Sequence, residues 1–332
     1  MRDTKKVLEI TDTASFMRAA HVLTPHAPRR LRPRFSVTDQ PQYRSPPGFV
    51  PWRDHLEACD FRQFLPAMLT YEDVSGSPPF SYIRVGEVAF SVMQNKAPAF
   101  FLSRELVQAF NKTQRPAIPD DLKMILPAFH LMLPVGAMPT ETPGHSLSAI
   151  LVEWVDESSL FIGEDRNEYK ARGSVVLRMV GISTEHIKQT WIGTVSYFNI
   201  AGSREDLNPL PVAPGAKEEV VAVDQRMAAL VCSALLTMYY EPQLVTTDPS
   251  GTGLPVHLQS RAERKRTMLP TTWIGKSYKP RTSSSDCKGG THASPATHWR
   301  RGHWHHVRHG QGRELKRLCW YEPILVNKEM SP

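Results

Sequence analysis

Residues 216–240 constrain the fold more than any other stretch. Val220, Val223, Met227, Leu230, Val231, Ala234, Leu235 and Met238 recur there at offsets of three, four and seven; Pro214-Gly215 precedes the run and Pro242 follows it. The spacing predicts one long helix, Ala216 to Tyr240, whose apolar stripe must be covered. Upstream, Leu147 to Val155, Ser174 to Ile182 and Trp191 to Ile200 are β-branched or aromatic runs divided by polar turns, which predicts a mostly antiparallel sheet. Strands followed by a helix that packs on them make the expected class α+β. A partner-binding groove along the helix is the alternative to core packing.

The remaining elements are shorter. Apolar residues from Trp52 to Tyr71 have helical spacing; Ile83, Val85, Val88, Phe90 and Val92 alternate as in a strand or hairpin. Phe101 to Phe110 reads as a helix with Ser103 as its N-cap, and Met124 to Met138, with three prolines, as a buried extended segment. A short helix is expected over Ala14 to Leu23. The expected organisation is an irregular Pro-rich arm (1–50), an α+β body (51–245), a linker (246–290) carrying the Trp273-Ile274-Gly275-Lys276-Ser277-Tyr278 element, and a basic His-, Trp- and Arg-rich module (291–332).

Charge sets the last part aside. The net charge is +7, yet Pro255 to Trp320 holds fourteen Lys or Arg against three Asp or Glu, a local +11, while the first 254 residues sum to −3. A localised positive field fits an anionic partner such as RNA or the ribosome. No run approaches the roughly 18 apolar residues of a membrane span, and the charged N-terminus has no apolar h-region behind it. A cytoplasmic location with no membrane partner is therefore expected. Cys59, Cys232, Cys287 and Cys319 form no CxxC pair, which argues against a disulfide framework or a zinc ribbon.

Thr291 to Asn327 carries the chemistry. It contains six of the thirteen histidines, three of the seven tryptophans and six Lys or Arg against two Glu. Arg300, Arg301, Arg308 and Arg313 can fork onto phosphates or carboxylates, while Trp299, Trp304 and the imidazoles of His298 and His303 offer stacking faces to unpaired bases. Trp273 and Lys276 form a second aromatic and basic element. Gly302 permits a tight turn or close approach to a ligand backbone. After it, HWHHVR, a turn around Gly310 and Gly312, and ELKRLCWYEPILV read as a hairpin. Trp320 is expected to pack. His303, His305, His306 and His309 suggest metal on composition alone, since their spacing is irregular and alternates between two strand faces.

Phosphate-cradling P-loop, dinucleotide, zincin and nucleophile-elbow motifs are all missing. The enzyme alternative is a metal-dependent ribonuclease built on the His cluster; a third reading is a general nucleic-acid-binding protein of a mobile element. No cofactor is expected.

The order His298-Trp299-Arg300-Arg301-Gly302-His303-Trp304, Gly310-Gln311-Gly312, then Trp320, Pro323 and Val326-Asn327 resembles the C-terminal signature of an anti-CRISPR family, the second type V-A inhibitor and its relatives on phages and plasmids. Tyr239-Tyr240-Glu241-Pro242 after the helix and Leu126-Pro127 before the middle sheet extend the similarity. The resemblance implies an inhibitor that recognises the nascent chain of a defence protein, such as a CRISPR nuclease, and lowers its production through loss of its mRNA. Body and basic module would then divide peptide recognition from RNA or ribosome contact.

Overall fold

The computed structural model describes residues 8–10, 31–33, 39–59, 88–114, 126–140, 144–156, 175–183, 191–192, 196–199, 218–248, 268–283 and 298–326. The expected helix at Ala14 to Leu23, the continuation of the first body helix past Cys59, and Ile83 and Val85 lie outside them.

Two three-residue strands, β1 (Leu8–Ile10) and β2 (Leu31–Pro33), pair in parallel. Among the described residues the body is built on an eight-stranded mixed sheet. Its members are β3 (Ala99–Leu102), β4 (Ala128–Met132), β5 (Ala149–Asp156), β6 (Val175–Ser183), β7 (Trp191–Ile192), β8 (Ser196–Asn199), β9 (Val245–Asp248) and β10 (Thr271–Ile274). The order is β7-β6-β5-β4-β3-β10-β9, with β8 also on β6. Only the β3 pairs, to β4 and to β10, are parallel; β4 to β5, β5 to β6, β6 to β7 and β8, and β9 to β10 are antiparallel. The three β-rich runs read from sequence are therefore β5, β6 and the β7–β8 pair, in a sheet that is mostly antiparallel as expected. All five residues of β4 are buried, because both faces of the sheet are covered there.

Among the described residues four α-helices complete the body: α1 (Trp52–Ala58), α2 (residues 88–94), α3 (Arg104–Asn111) and α4 (Glu218–Tyr240). Ser103 caps α3 as its position suggests, its Oγ accepting from the Leu106 amide at 3.2 Å. On one face of the sheet Phe129, Leu131, Ile150 and Val152 pack with Leu106 and Phe110 of α3 and with Met227, Leu230, Val231 and Leu235 of α4. The long stripe thus serves the core. On the other face Phe101, Met132, Leu151 and Val180 pack with Trp52 and Leu56 of α1 and with Val88, Phe90 and Val92 of α2.

Two readings change. Val88, Phe90 and Val92 are helical rather than in a strand: Val88, Ala89, Val92 and Met93 are all buried, the offsets of a helix face, and the alternation reflected only part of that set. Within the expected linker (246–290), residues 246–248 belong to a strand, Val245–Asp248, held by antiparallel pairing with Thr271–Ile274; two threonines and an aspartate on a partly exposed edge carry little apolar signal.

The sheet also buries a charge pair. Glu153 and Arg178 lie directly opposite on β5 and β6, each 2% exposed, with Arg178 Nη2 against Glu153 Oε1. Beyond the body, β11 (Arg281–Ser283), β15 (Ile324–Val326) and β12 (His298–Arg300) form a small sheet, and β13 (His303–His309) and β14 (Leu315–Tyr321) a hairpin.

Candidate nucleic-acid and partner interface

The hairpin brings most of the sequence-nominated residues together and sorts them by strand periodicity. Its register pairs Trp304 with Trp320, His306 with Leu318 and Arg308 with Lys316 on one face, and His303 with Tyr321, His305 with Cys319 and His309 with Leu315 on the other. The turn between them needs positive φ, which Gly310 (80°) and Gly312 (68°) supply without a Cβ penalty.

The first face docks at its body end, through Trp304, Leu318 and Trp320, while toward the turn its His306, Arg308 and Lys316 are exposed. Leu318 is buried against Cys232 and Leu236 of α4, with Tyr240 and Trp304 at the edge of that cluster. Trp320, as expected, packs: its ring lies 5.3 Å from Phe110, 5.5 Å from Tyr278 and 6.2 Å from Trp304, and its Nε1 donates to Thr113 Oγ1 at 3.3 Å. Arg317, of the second face, also reaches the body: its Nη2 donates to the Tyr240 carbonyl at 3.4 Å, so a hairpin cation meets the negative end of α4.

Gly302 is a docking residue too. Its amide donates to the Lys112 carbonyl at 3.1 Å, and its carbonyl accepts from the Gln114 amide at 2.8 Å, just past α3. A Cβ there would stand 2.8 Å from Pro323 Cδ, 2.8 Å from Thr113 Oγ1 and 2.9 Å from Pro323 N. The space beside this glycine is filled by the protein itself.

The second face looks outward. His303 stacks on Tyr321 with ring centroids 5.1 Å apart and planes 3° from parallel; His305 meets the same ring edge-on at 6.1 Å. His305 and Tyr321 are exposed. Arg300 and Arg301 beside the hairpin, Arg313 in its turn, and Arg308 and Lys316 at the turn end of the first face are all exposed, and none has a carboxylate partner among the described residues. His298 and Trp299, in β12, are exposed beside them. A recess of about 430 Å³ is lined by Trp304, His306 and Lys316 of the first face together with His305 of the second. Trp304 Nε1, itself shielded from solvent, has no acceptor among the described residues. Cationic forks and open rings on the exposed parts of the module provide phosphate contact and base stacking.

Two nominated residues stand apart. Trp273 belongs to β10 and packs on the opposite side of the sheet against Phe49 and Phe101, at 5.5 and 6.1 Å between ring centroids. Lys276 is paired with Asp248 at 3.1 Å and lies over the Trp273 ring at 5.7 Å. The metal candidates divide as well: His303, His305 and His309 lie on one strand face and His306 on the other. Among the described residues they form no convergent donor set. Conversely, Tyr321, Lys316 and Thr113 were not singled out from sequence; the first two follow once the hairpin register is known, whereas Thr113 carries no sequence signal.

A model of the AcrVA2-like proteins, described as the anti-CRISPR type V subtype A2 family, matches residues 100–328, more than half of the chain. The chain belongs to the AcrVA2-like family. The matched span runs from β3 through the hairpin, so the body sheet, α4 and the basic module of this AcrVA2-like protein all fall within it. Among solved structures, the crystal structure of AcrVA2 aligns at 14% identity over 82% of this chain and 86% of that one, with a TM-score of 0.41. No curated protein sequence matches the chain. Among the described residues no helix is long and apolar enough to cross a membrane.

Proposed function

We propose that this anti-CRISPR-like inhibitor recognises the nascent chain of a host-defence protein with its body and contacts the translating RNA or ribosome with its C-terminal hairpin, and that loss of the message follows. Family membership supplies the defence-system partner. The observation that carries the assignment of labour is the hairpin: the body end of one face is fixed to α3 and α4, and the rest of the module leaves Arg300, Arg301, Arg308, Arg313, Lys316 and the His303–Tyr321 stack open. A patch held this firmly loses little further freedom on binding, so its charge and stacking act on affinity directly.

The test is co-purification of the full-length protein from translating cells that express a type V-A nuclease, followed by sequencing of bound RNA and peptide. Target message and the start of its protein should be enriched together. Arg300→Ala with Arg301→Ala should weaken RNA or ribosome association and flatten its dependence on salt by about one to two in log–log slope, since each lost phosphate contact removes roughly 0.7–0.9. RNA crosslinks confined to the body, or unchanged association of the double variant, would reject the assignment.

A further inference from the structure

Three metal-ligating side chains outside the hairpin meet in the layer on the opposite face of the sheet. His55 belongs to α1 and Cys59 is the helix's C-cap, four residues on, so both project from one side of the helix. His130, the middle residue of β4, faces them from the centre of the sheet. His55 Nε2 lies 2.9 Å from His130 Nδ1 and 3.6 Å from Cys59 Sγ, and one donor atom from each residue falls within 4.8 Å of the others. The three residues are 0%, 0% and 1% exposed. The Trp52 ring sits 5.2 Å from both imidazoles and helps seal the group.

We infer that His55, Cys59 and His130 form a binding site for a thiophilic d¹⁰ metal ion, Zn²⁺ or Cu⁺, that ties α1 to the centre of the sheet. The donor set is the first reason: one sulfur and two imidazole nitrogens suit borderline-soft or soft ions and not Mg²⁺ or Ca²⁺. Spacing is the second. In a tetrahedron with metal–nitrogen and metal–sulfur bonds of about 2.0 and 2.3 Å, nitrogen and sulfur stand about 3.6 Å apart and two nitrogens about 3.3 Å. The observed 3.6 Å meets the first value, and the 2.9 Å of the imidazole pair reaches the second by a rotation of a few tenths of an ångström.

Protonation agrees with this placement. Burial pushes His55 down to about 3 and His130 well below the ordinary histidine range, His55 adding to the effect on His130. In the 2.9 Å contact one ring N–H donates to the other ring, so uptake of an ion would need the donating ring to carry its proton on the far nitrogen; binding would also displace the Cys59 thiol proton to solvent, about one proton released per ion. Position gives the site its consequence. α1 and Cys59 precede the residues shared with the AcrVA2-like family, whereas His130 lies inside them. The ion would fasten a segment outside the family match to the central strand of the matched sheet.

The experiment uses the full-length protein without a metal-affinity tag, purified after growth in zinc- or copper-supplemented medium and measured by mass spectrometry of the metals. A second arm titrates chelator-treated protein with Zn²⁺, and with Cu⁺ under anaerobic conditions, while the thermal midpoint is followed. The expected result is close to one ion per chain, a rise of several degrees on loading, and loss of both in Cys59→Ser and His130→Gln. His303→Ala with His306→Ala should leave both unchanged. Loading distinguishes the ions, since the one that occupies the site survives competition with a chelator selective for the other. Wild-type protein that takes up neither ion stoichiometrically and shows no thermal shift would overturn the inference and leave a hydrogen-bonded core of two imidazoles and a thiol. That measurement needs no variant to fold.

Discussion

Replacing Gly302 with alanine separates a glycine that serves the fold from one that serves a ligand. The added Cβ would stand 2.8 Å from both Pro323 Cδ and Thr113 Oγ1 and 2.9 Å from Pro323 N. The threonine hydroxyl can rotate away, but the proline ring and backbone nitrogen cannot. Relief therefore requires the chain at Gly302 to move off α3, which strains the bonds to the Lys112 carbonyl and the Gln114 amide. Overpacking of this kind costs about 1–3 kcal/mol, and each weakened hydrogen bond adds about 0.5–1.5 kcal/mol. At about 2–4 °C per kcal/mol for chains of 150–250 residues, and somewhat less for a longer one, the thermal midpoint should fall by roughly 4–10 °C. Circular dichroism gives the midpoint; tryptophan fluorescence reports the hairpin through Trp304 and Trp320, and hydrogen exchange at the Gly302 and Gln114 amides should accelerate. An unchanged midpoint together with lost RNA association would refute the docking account and return Gly302 to the ligand.

Other expectations follow from the same geometry. His303→Ala with Tyr321→Ala should weaken binding to single-stranded RNA by about 1–3 kcal/mol for each base that stacks there, with stability within about 0.5 kcal/mol of wild type because the pair lies at the surface; a large loss of stability would show the stack to be structural. Glu153→Gln leaves Arg178 buried without its charge partner and should cost about 3–5 kcal/mol in urea unfolding; a loss under about 1 kcal/mol would mean that the guanidinium is compensated elsewhere. Because burial lowers His55 to about 3 and also lowers His130, metal-free protein should keep the full contribution of these rings above the ordinary histidine range and lose it as pH falls toward 3. The unfolded chain binds protons that the folded chain refuses, at most about 1.4 kcal/mol per pH unit for each ring. His130→Gln should reduce that slope, and a slope equal to wild type would count against neutral burial.

How far the sequence could be read depended on whether one element's pattern was enough. The 23 residues of α4 and the paired runs of β5 and β6 declare themselves because each carries its own period and its own apolar face. Ser103 declares α3 in the same way, through a local cap. Trp273 is ambiguous in sequence because an indole beside a lysine looks the same whether it is fully open to solvent or, as here, packs in part against Phe49 and Phe101. The His55–Cys59–His130 group was invisible for a different reason. His55 and Cys59 have helical spacing, but their third partner lies 75 residues from His55 and on a strand, so only the tertiary fold assembles the set.

The hairpin shows why the density of histidine in the C-terminal stretch is a poorer guide than the alternation within it. A strand has two faces, and in β13 Trp304 faces α4 while His303 and His305 on either side face outward with Tyr321. Adjacent substitutions should therefore have opposite signatures. Trp304→Ala should reduce stability, through lost contact with Trp320 and Leu318, and reduce binding only as the hairpin loosens; His305→Ala should leave stability alone and reduce binding. Measuring unfolding midpoint and RNA affinity for both variants tests the register itself. If Trp304→Ala leaves the midpoint unchanged while His305→Ala lowers it, the faces are reversed, and the His303–Tyr321 stack assigned to RNA is instead turned toward the body.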